Sequence, residues 1–127
     1  MVTHRERERA EDIAGDLEVR WEDPSDLHQC HPARDEDRLN ELTESMRERG
    51  WDGIPLLVEG RWSLVTGNHR IEAARRAGID EVPTVKIEDV IRSLGADPDD
   101  YRMGDGRIDT DALYRIDGMD YWGEEWS

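Results

Sequence analysis

The 127-residue chain contains one cysteine, Cys30, and one lysine, Lys86. A single cysteine excludes an internal disulfide and suits a reducing compartment, so a cytoplasmic location is expected. No run of about 18 apolar residues occurs, so no transmembrane helix and no membrane partner are expected. Met1 to Asp12 is charged and lacks the apolar stretch of a secretory signal. There is no internal repeat, and no Gly-x-Ser-x-Gly to support a serine hydrolase.

Charge is present in excess and of one sign. The 32 acidic residues face 17 basic ones, a formal net charge of −15. All the basic residues but Lys86 are arginines. Acid excess with almost no lysine is the composition expected of a halophilic protein, solvated in concentrated salt. Such salt screens charges beyond a few ångströms and weakens their repulsion of nucleic acid. The alternative, that the acidity imitates DNA, competes with the ordinary role of charge runs as a solvated face.

The charge is unevenly spread. Residues 1–29 carry 4 basic and 9 acidic groups, residues 30–87 carry 9 and 11, and residues 88–127 carry 4 and 12. The acidity therefore sits in the flanks. A length of 127 residues suits one domain with a modest core. The organisation expected is a charged N-terminal arm (1–16), a working domain (17–87) and an acidic C-terminal extension (88–127).

Within the arm, Arg5-Glu6-Arg7-Glu8-Arg9 has no apolar face and reads as a charged helix or disordered segment. Leu17 to Trp21 alternates with the period of a half-buried strand. After a turn at Asp23-Pro24-Ser25-Asp26 and a loop from Leu27 to Arg34, Asp35-Glu36-Asp37 opens a helix, with acids at its positive end. Leu39, Leu42 and Met46 share one face of that helix, and Gly50 stops it. Ile54 to Val58 and Trp62 to Thr66 read as strands joined by Glu59-Gly60-Arg61, a hairpin. An arginine-rich helix then runs from Asn68 to Ala77 and ends at Gly78, followed by a third core strand, Val82 to Ile87. Glu88 to Leu94 reads as a short helix stopped by Gly95, Asp97 to Asp100 as a loop, and Thr110 to Ile116 as short turns. Trp122 and Trp126 either pack back on the domain or form a docking peptide, with packing favoured by the burial of aromatic surface.

The segment richest in chemistry is Ser63 to Gly78. A short apolar run breaks at Gly67 and a helix starts at once, which aims free backbone N–H groups and a positive helix end at one point. His69 and Arg70 at that point make a seat for a phosphate or another anion. The plainer reading is a helix capped by Asn68 with solvated arginines.

The order of motifs resembles the ParB N-terminal domain and the related sulfiredoxins. Pro32-Ala33-Arg34 precedes a helix that closes with Ser45-Met46-Arg47-Glu48-Arg49-Gly50. Pro55-Leu56-Leu57-Val58 matches the family's apolar strand, and Gly67-Asn68-His69-Arg70 through Ala77-Gly78 its glycine–arginine box. Val82-Pro83-Thr84-Val85 matches the closing strand. The resemblance covers about residues 17–87. It implies an α/β (α+β) fold, a small mixed sheet with flanking helices.

The same resemblance implies what the site holds. Gly67, Asn68, His69 and Arg70 would bind nucleotide phosphate, with Arg38 and Ser45 lining the site from the preceding helix. Sulfiredoxins carry a nucleophilic cysteine where this chain has Asn68, so their chemistry is not expected. ParB proteins bind CTP, and the wider group includes a kinase of free serine, so ATP or CTP is the expected cofactor, with Mg2+ as its companion ion. The downstream Glu-Asn-x-x-Arg segment and helix-turn-helix of ParB do not follow Ile87.

Three functions remain open. The first is a nucleotide-binding domain with phosphotransferase or nucleotidase activity, linked to plasmid or viral DNA maintenance. Glu41, one turn before Ser45 on the same helical face, is its candidate acid. The second is a DNA-associated nuclease or accessory module in which Arg75 and Arg76 meet the DNA backbone at high salt. The third is a non-catalytic interaction protein whose acidic C-terminal tail docks a protein partner. His28, Cys30 and His31 lack the further ligand of a zinc site, and Asp97, Asp99, Asp100, Asp105 and Asp109 lack calcium-loop spacing. No dedicated metal site is expected.

Overall fold

A computed structural model describes residues 4–29, 32–51, 55–65, 67–109 and 111–119. Expectations that fall on Cys30, His31, Ile54, Thr66, Thr110, Trp122 and Trp126 lie outside the described residues. The described chain is a four-stranded mixed sheet between two helical layers. Its elements are α1 (His4–Ala14), β1 (Arg20–Glu22), α2 (Glu36–Arg49), β2 (Leu56–Glu59), β3 (Ser63–Leu64), α3 (Asn68–Ala77), β4 (Val82–Lys86) and α4 (Ile87–Ser93). Short 3-10 turns cover Pro24–Asp26, Pro98–Tyr101 and Ala112–Arg115.

The strand order is β1-β4-β2-β3. β4 runs parallel to β2, with Leu57 opposite Val85, and antiparallel to β1, with Trp21 opposite Pro83. β2 and β3 form the expected hairpin, with Val58 opposite Leu64. β2 reads as an apolar run and β4 is buried from Val82 to Val85, Thr84 included, because both faces of the sheet are covered. Leu56, Val58 and Val82 face a core shared with Leu39 and Met46 of α2 and with Ile71, Ala73 and Ala74 of α3. Leu57 and Val85 face a second core, built with Ala14, Ile87, Val90 and Ile91.

The helix termini follow the local chemistry. Asp35 accepts the Arg38 backbone N–H at 3.1 Å and caps α2, Glu36 and Asp37 occupy its first turn, and Arg47 and Arg49 its last. The Gly50 N–H closes α2 on the Met46 carbonyl at 2.9 Å. Gly78, at φ 77°, closes α3.

Four expectations need adjustment. The N-terminal segment is a helix with an apolar face after all: the charged Arg5–Arg9 run leads into Ala10, Ile13 and Ala14, of which both alanines are buried. β1 starts at Arg20, later than expected, because the Leu17 N–H turns back to the Ala14 carbonyl at 3.3 Å. β3 is only two residues long, and its outer edge is covered by His28, which pairs with Ser63. Asn68 is the first residue of α3 and not its cap; Gly67 holds that position and no side chain closes the end.

Residues beyond α4 complete the second core. Ile108, Leu113, Ile116 and Met119 are buried there, and the Ile108 N–H donates to Glu59 at 2.9 Å. Asp97, Asp105 and Asp109 each accept a backbone N–H two residues on, closing tight turns. Leu113→Ala is therefore expected to destabilise the protein by about 2–5 kcal/mol through cavity formation. Urea denaturation in molar salt would measure it, and an unchanged midpoint would show that this segment does not support the core.

Candidate functional site

The site is assembled where α2 and α3 begin. Val65 still follows the sheet, its N–H donating to the Leu57 carbonyl at 2.8 Å, before the chain turns at Gly67. Gly67 has φ 90° and ψ 38°, in the left-handed region. A Cβ there would also collide with the Leu56 side chain. Two independent constraints thus require glycine, one conformational and one steric. α3 begins directly after it, so the first-turn N–H groups, which have no partner within a helix, receive no side-chain cap from Gly67.

His69 joins this end to the start of α2. Its Nε2 accepts the Asp35 backbone N–H at 3.0 Å. In the neutral imidazole this places the proton on Nδ1, which becomes a donor. The residue is 8% exposed, and Nδ1 has no hydrogen-bond partner among the described residues. A buried donor without an acceptor is costly, at about 1–3 kcal/mol, and marks a place for an acceptor ligand. Arg38 Nε, in the first turn of α2, is likewise buried without a hydrogen-bond partner among the described residues.

Arg70 is buried, and its guanidinium carbon lies 4.2 Å from the centroid of the Trp51 ring. Stacking on an aromatic face holds the fork in one plane while keeping its charge. Trp51 itself follows Gly50, so the end of α2 supplies the platform for a cation near the start of α3. The His69 donor thus sits beside the first turns of α2 and α3, a setting that favours an anion.

The other candidate residues take different places. Ser45 is half-buried on α2, seven residues beyond Arg38 and hence about 10 Å along the axis. Glu41 is exposed on the same helix. Arg75 donates to the Pro24 carbonyl at 3.2 and 2.9 Å, to the Leu27 carbonyl at 3.0 Å and to Gln29 Oε1 at 2.9 Å. Its guanidinium thus stitches the loop before α2 onto α3. Arg76 pairs with Glu36 at 3.3 Å, across the α2–α3 interface. Among the described residues, no three His, Cys, Asp or Glu side chains converge to hold a metal ion.

Asp35 and Trp51 touch His69 and Arg70 but were not legible in that role from the sequence. Asp35 reads as a helix opener, which it is, yet its contact with His69 runs through backbone N–H and carries no side-chain signature. Trp51 offers only its position after a helix-ending glycine. Because Gly67 satisfies two constraints and Gly78 only one, their alanine variants should differ. Nothing lies within 4 Å of a Cβ at Gly78, so Gly78→Ala is expected to cost about 1–2 kcal/mol from backbone strain. Gly67→Ala adds overpacking and should cost about 2–5 kcal/mol. Parallel thermal and urea melts would check this, and equal losses would contradict the geometry.

A family model described as the ParB N-terminal domain matches residues 5–95 of this chain. The probable chromosome 2-partitioning protein ParB of Deinococcus radiodurans is 36% identical over 105 residues, covering 66% of this chain and 34% of that protein. The chain thus spans about a third of the length of that relative. Among solved structures, the C-terminally truncated chromosome-partitioning protein ParB from Caulobacter crescentus, complexed with CTP-gamma-S, is 30% identical, with a TM-score of 0.47 over 54% of this chain and 43% of the other. By the extent of the family match, 91 of its 127 residues, this chain belongs to the ParB N-terminal domain family.

Proposed function

We propose that this chain binds the phosphates of a nucleoside triphosphate at the adjoining N-termini of α2 and α3. The observation that carries the reading is His69, whose Nε2 is held by the Asp35 N–H while its buried Nδ1 lacks an acceptor. A phosphate oxygen supplies that acceptor and benefits from both helix ends. Gly67 and the N–H groups of Asn68, His69 and Arg70 form the cradle. Arg70, fixed on Trp51, and Arg38 supply charge, and Ser45 lines the site further along α2.

CTP is the nucleotide that the family relation favours, with ATP as its competitor. The nucleotide would bring the reactive phosphoryl groups and Mg2+. Glu41 is the carboxylate on α2 proposed to face that ion if phosphate is transferred or hydrolysed. Asn68 offers no thiolate, so redox repair chemistry on cysteine has no nucleophile here. We place the activity in the maintenance of plasmid or viral DNA in a salt-rich cytoplasm. Arg75 and Arg76 serve internal contacts and are not proposed to meet DNA.

Calorimetry with CTP and with ATP in molar potassium chloride tests the reading. The native protein should give saturable heat with at least one of them. Arg70→Ala and Arg38→Ala should each weaken binding roughly tenfold or more, the loss of one hydrogen bond to a charged group worth about 1.5–3 kcal/mol. Thermal melts of both variants separate lost binding from lost folding, and Arg38, less buried than Arg70, is the safer of the two. Absence of heat from the native protein with either nucleotide would overturn the proposal.

A further inference from the structure

The approach to α2 is held in place from α3, and one oxygen carries much of that hold. Glu72 Oε1 accepts from Gln29 Nε2 at 3.0 Å and from the Ala33 backbone N–H at 3.2 Å. Gln29 is oriented in turn, because its Oε1 accepts from Arg75 Nη1 at 2.9 Å. The opposite amide orientation would set an NH2 group against a guanidinium, so the direction of the relay is fixed. Two residues beyond Ala33, the Asp35 N–H meets His69 Nε2 at 3.0 Å. Glu72 lies one turn after Asn68, on the helix that carries His69 and Arg70.

From this juxtaposition we infer that Glu72 is a positioning residue of the anion site: its Oε1 holds Gln29 and Ala33 so that the Asp35 N–H meets His69 with Nδ1 as the donor. This inference rests on the nucleotide-phosphate reading for its functional consequence, but its structural half does not. The alternative for a glutamate here is a solvated surface carboxylate, and two hydrogen bonds to residues 39 and 43 positions away in sequence speak against that. Nor is the charge of Glu72 what the site uses. A carboxylate one turn into α3 opposes an anion bound at that helix end, so its contribution must come from reach and acceptor geometry.

Both bonds fall on a single oxygen, and this makes reach and charge separable. Glu72→Gln keeps an oxygen at the same distance from the backbone and removes the charge. Glu72→Asp keeps the charge and withdraws the oxygen by one methylene. The imidazole 15N shifts of His69, measured on the nucleotide-free protein, report which nitrogen carries the proton and whether Nε2 accepts a hydrogen bond. Glu72→Gln is expected to keep the native His69 spectrum and to bind CTP or ATP as tightly as the native protein, or more tightly. Glu72→Asp is expected to perturb the spectrum and to weaken binding roughly tenfold.

An aspartate variant that behaves as native while the glutamine variant fails would overturn the inference, since charge and not reach would then matter. An unchanged His69 spectrum in Glu72→Asp would overturn it as well. If the aspartate variant fails to fold, a native His69 spectrum in Glu72→Gln supports the inference, and a perturbed one overturns it. Should the native protein bind neither nucleotide, the proposed function falls, while the spectra still decide the role of Glu72.

Discussion

The packing of α2 against α3 is the constraint from which the site follows. It is made by aliphatic side chains, Leu39 and Met46 from one helix, Ile71, Ala73 and Ala74 from the other, over Leu56, Val58 and Val82 of the sheet. The alanines on α3 are small and fully buried in that interface. The hydrogen bond from Asp35 to His69 spans the gap between their first turns. Two positive helix ends would be unfavourable neighbours without an acceptor between them, and the imidazole Nε2 provides one. Its other nitrogen is left with a proton and no partner among the described residues. A hydrophobic interface thus creates a polar demand at its rim.

The sheet shows how little chain is needed to hold this arrangement. β3 contributes two residues and β1 three, yet β2 and β4 are buried on both faces. The second face is closed by α1 and α4 together with Ile108, Leu113, Ile116 and Met119. The acidic residues of the C-terminal segment do not oppose this packing. Several of them close tight turns, their carboxylates accepting the backbone N–H two residues on, and the charge stays at the surface while Leu113, Ile116 and Met119 go inward. A strongly negative segment can therefore belong to a core, because the pattern of its apolar residues, and not its net charge, decides burial.

Much of the secondary structure was legible because it is written in local chemistry. The stretch Asn68 to Ala77, between Gly67 and Gly78, reads as a helix and is one. The same holds for α2 between Asp35 and Gly50 and for the hairpin around Gly60. The short and shifted elements were less legible. β1 starts late because Leu17 turns back to Ala14, and β3 pairs with His28, contacts that lie outside their own windows. The helical face of α1 was obscured by its charged first half, since Ala10 and Ala14 are weak hydrophobic signals until a partner surface covers them. In the site, Gly67, His69 and Arg70 stand out in sequence because a glycine, an imidazole and a guanidinium in series carry obvious chemistry. Glu72, Trp51 and Asp35 do not, for their roles are relations to distant residues.

By itself, then, the sequence determined the elements, their order and the membership of the family, through caps, apolar periodicity and a glycine at the head of an arginine-rich helix. Local propensities and short motifs act over a few residues, so they can be read along one dimension. Only the tertiary structure decided which arginines face inward to the fold's own carbonyls, which nitrogen of His69 keeps the proton, and that Glu72 and Arg75 bind the loop before α2. Those outcomes depend on groups 34 to 51 residues apart coming within 3.2 Å. No local pattern encodes such distances, because burial of the aliphatic core, and not the polar groups themselves, brings them together.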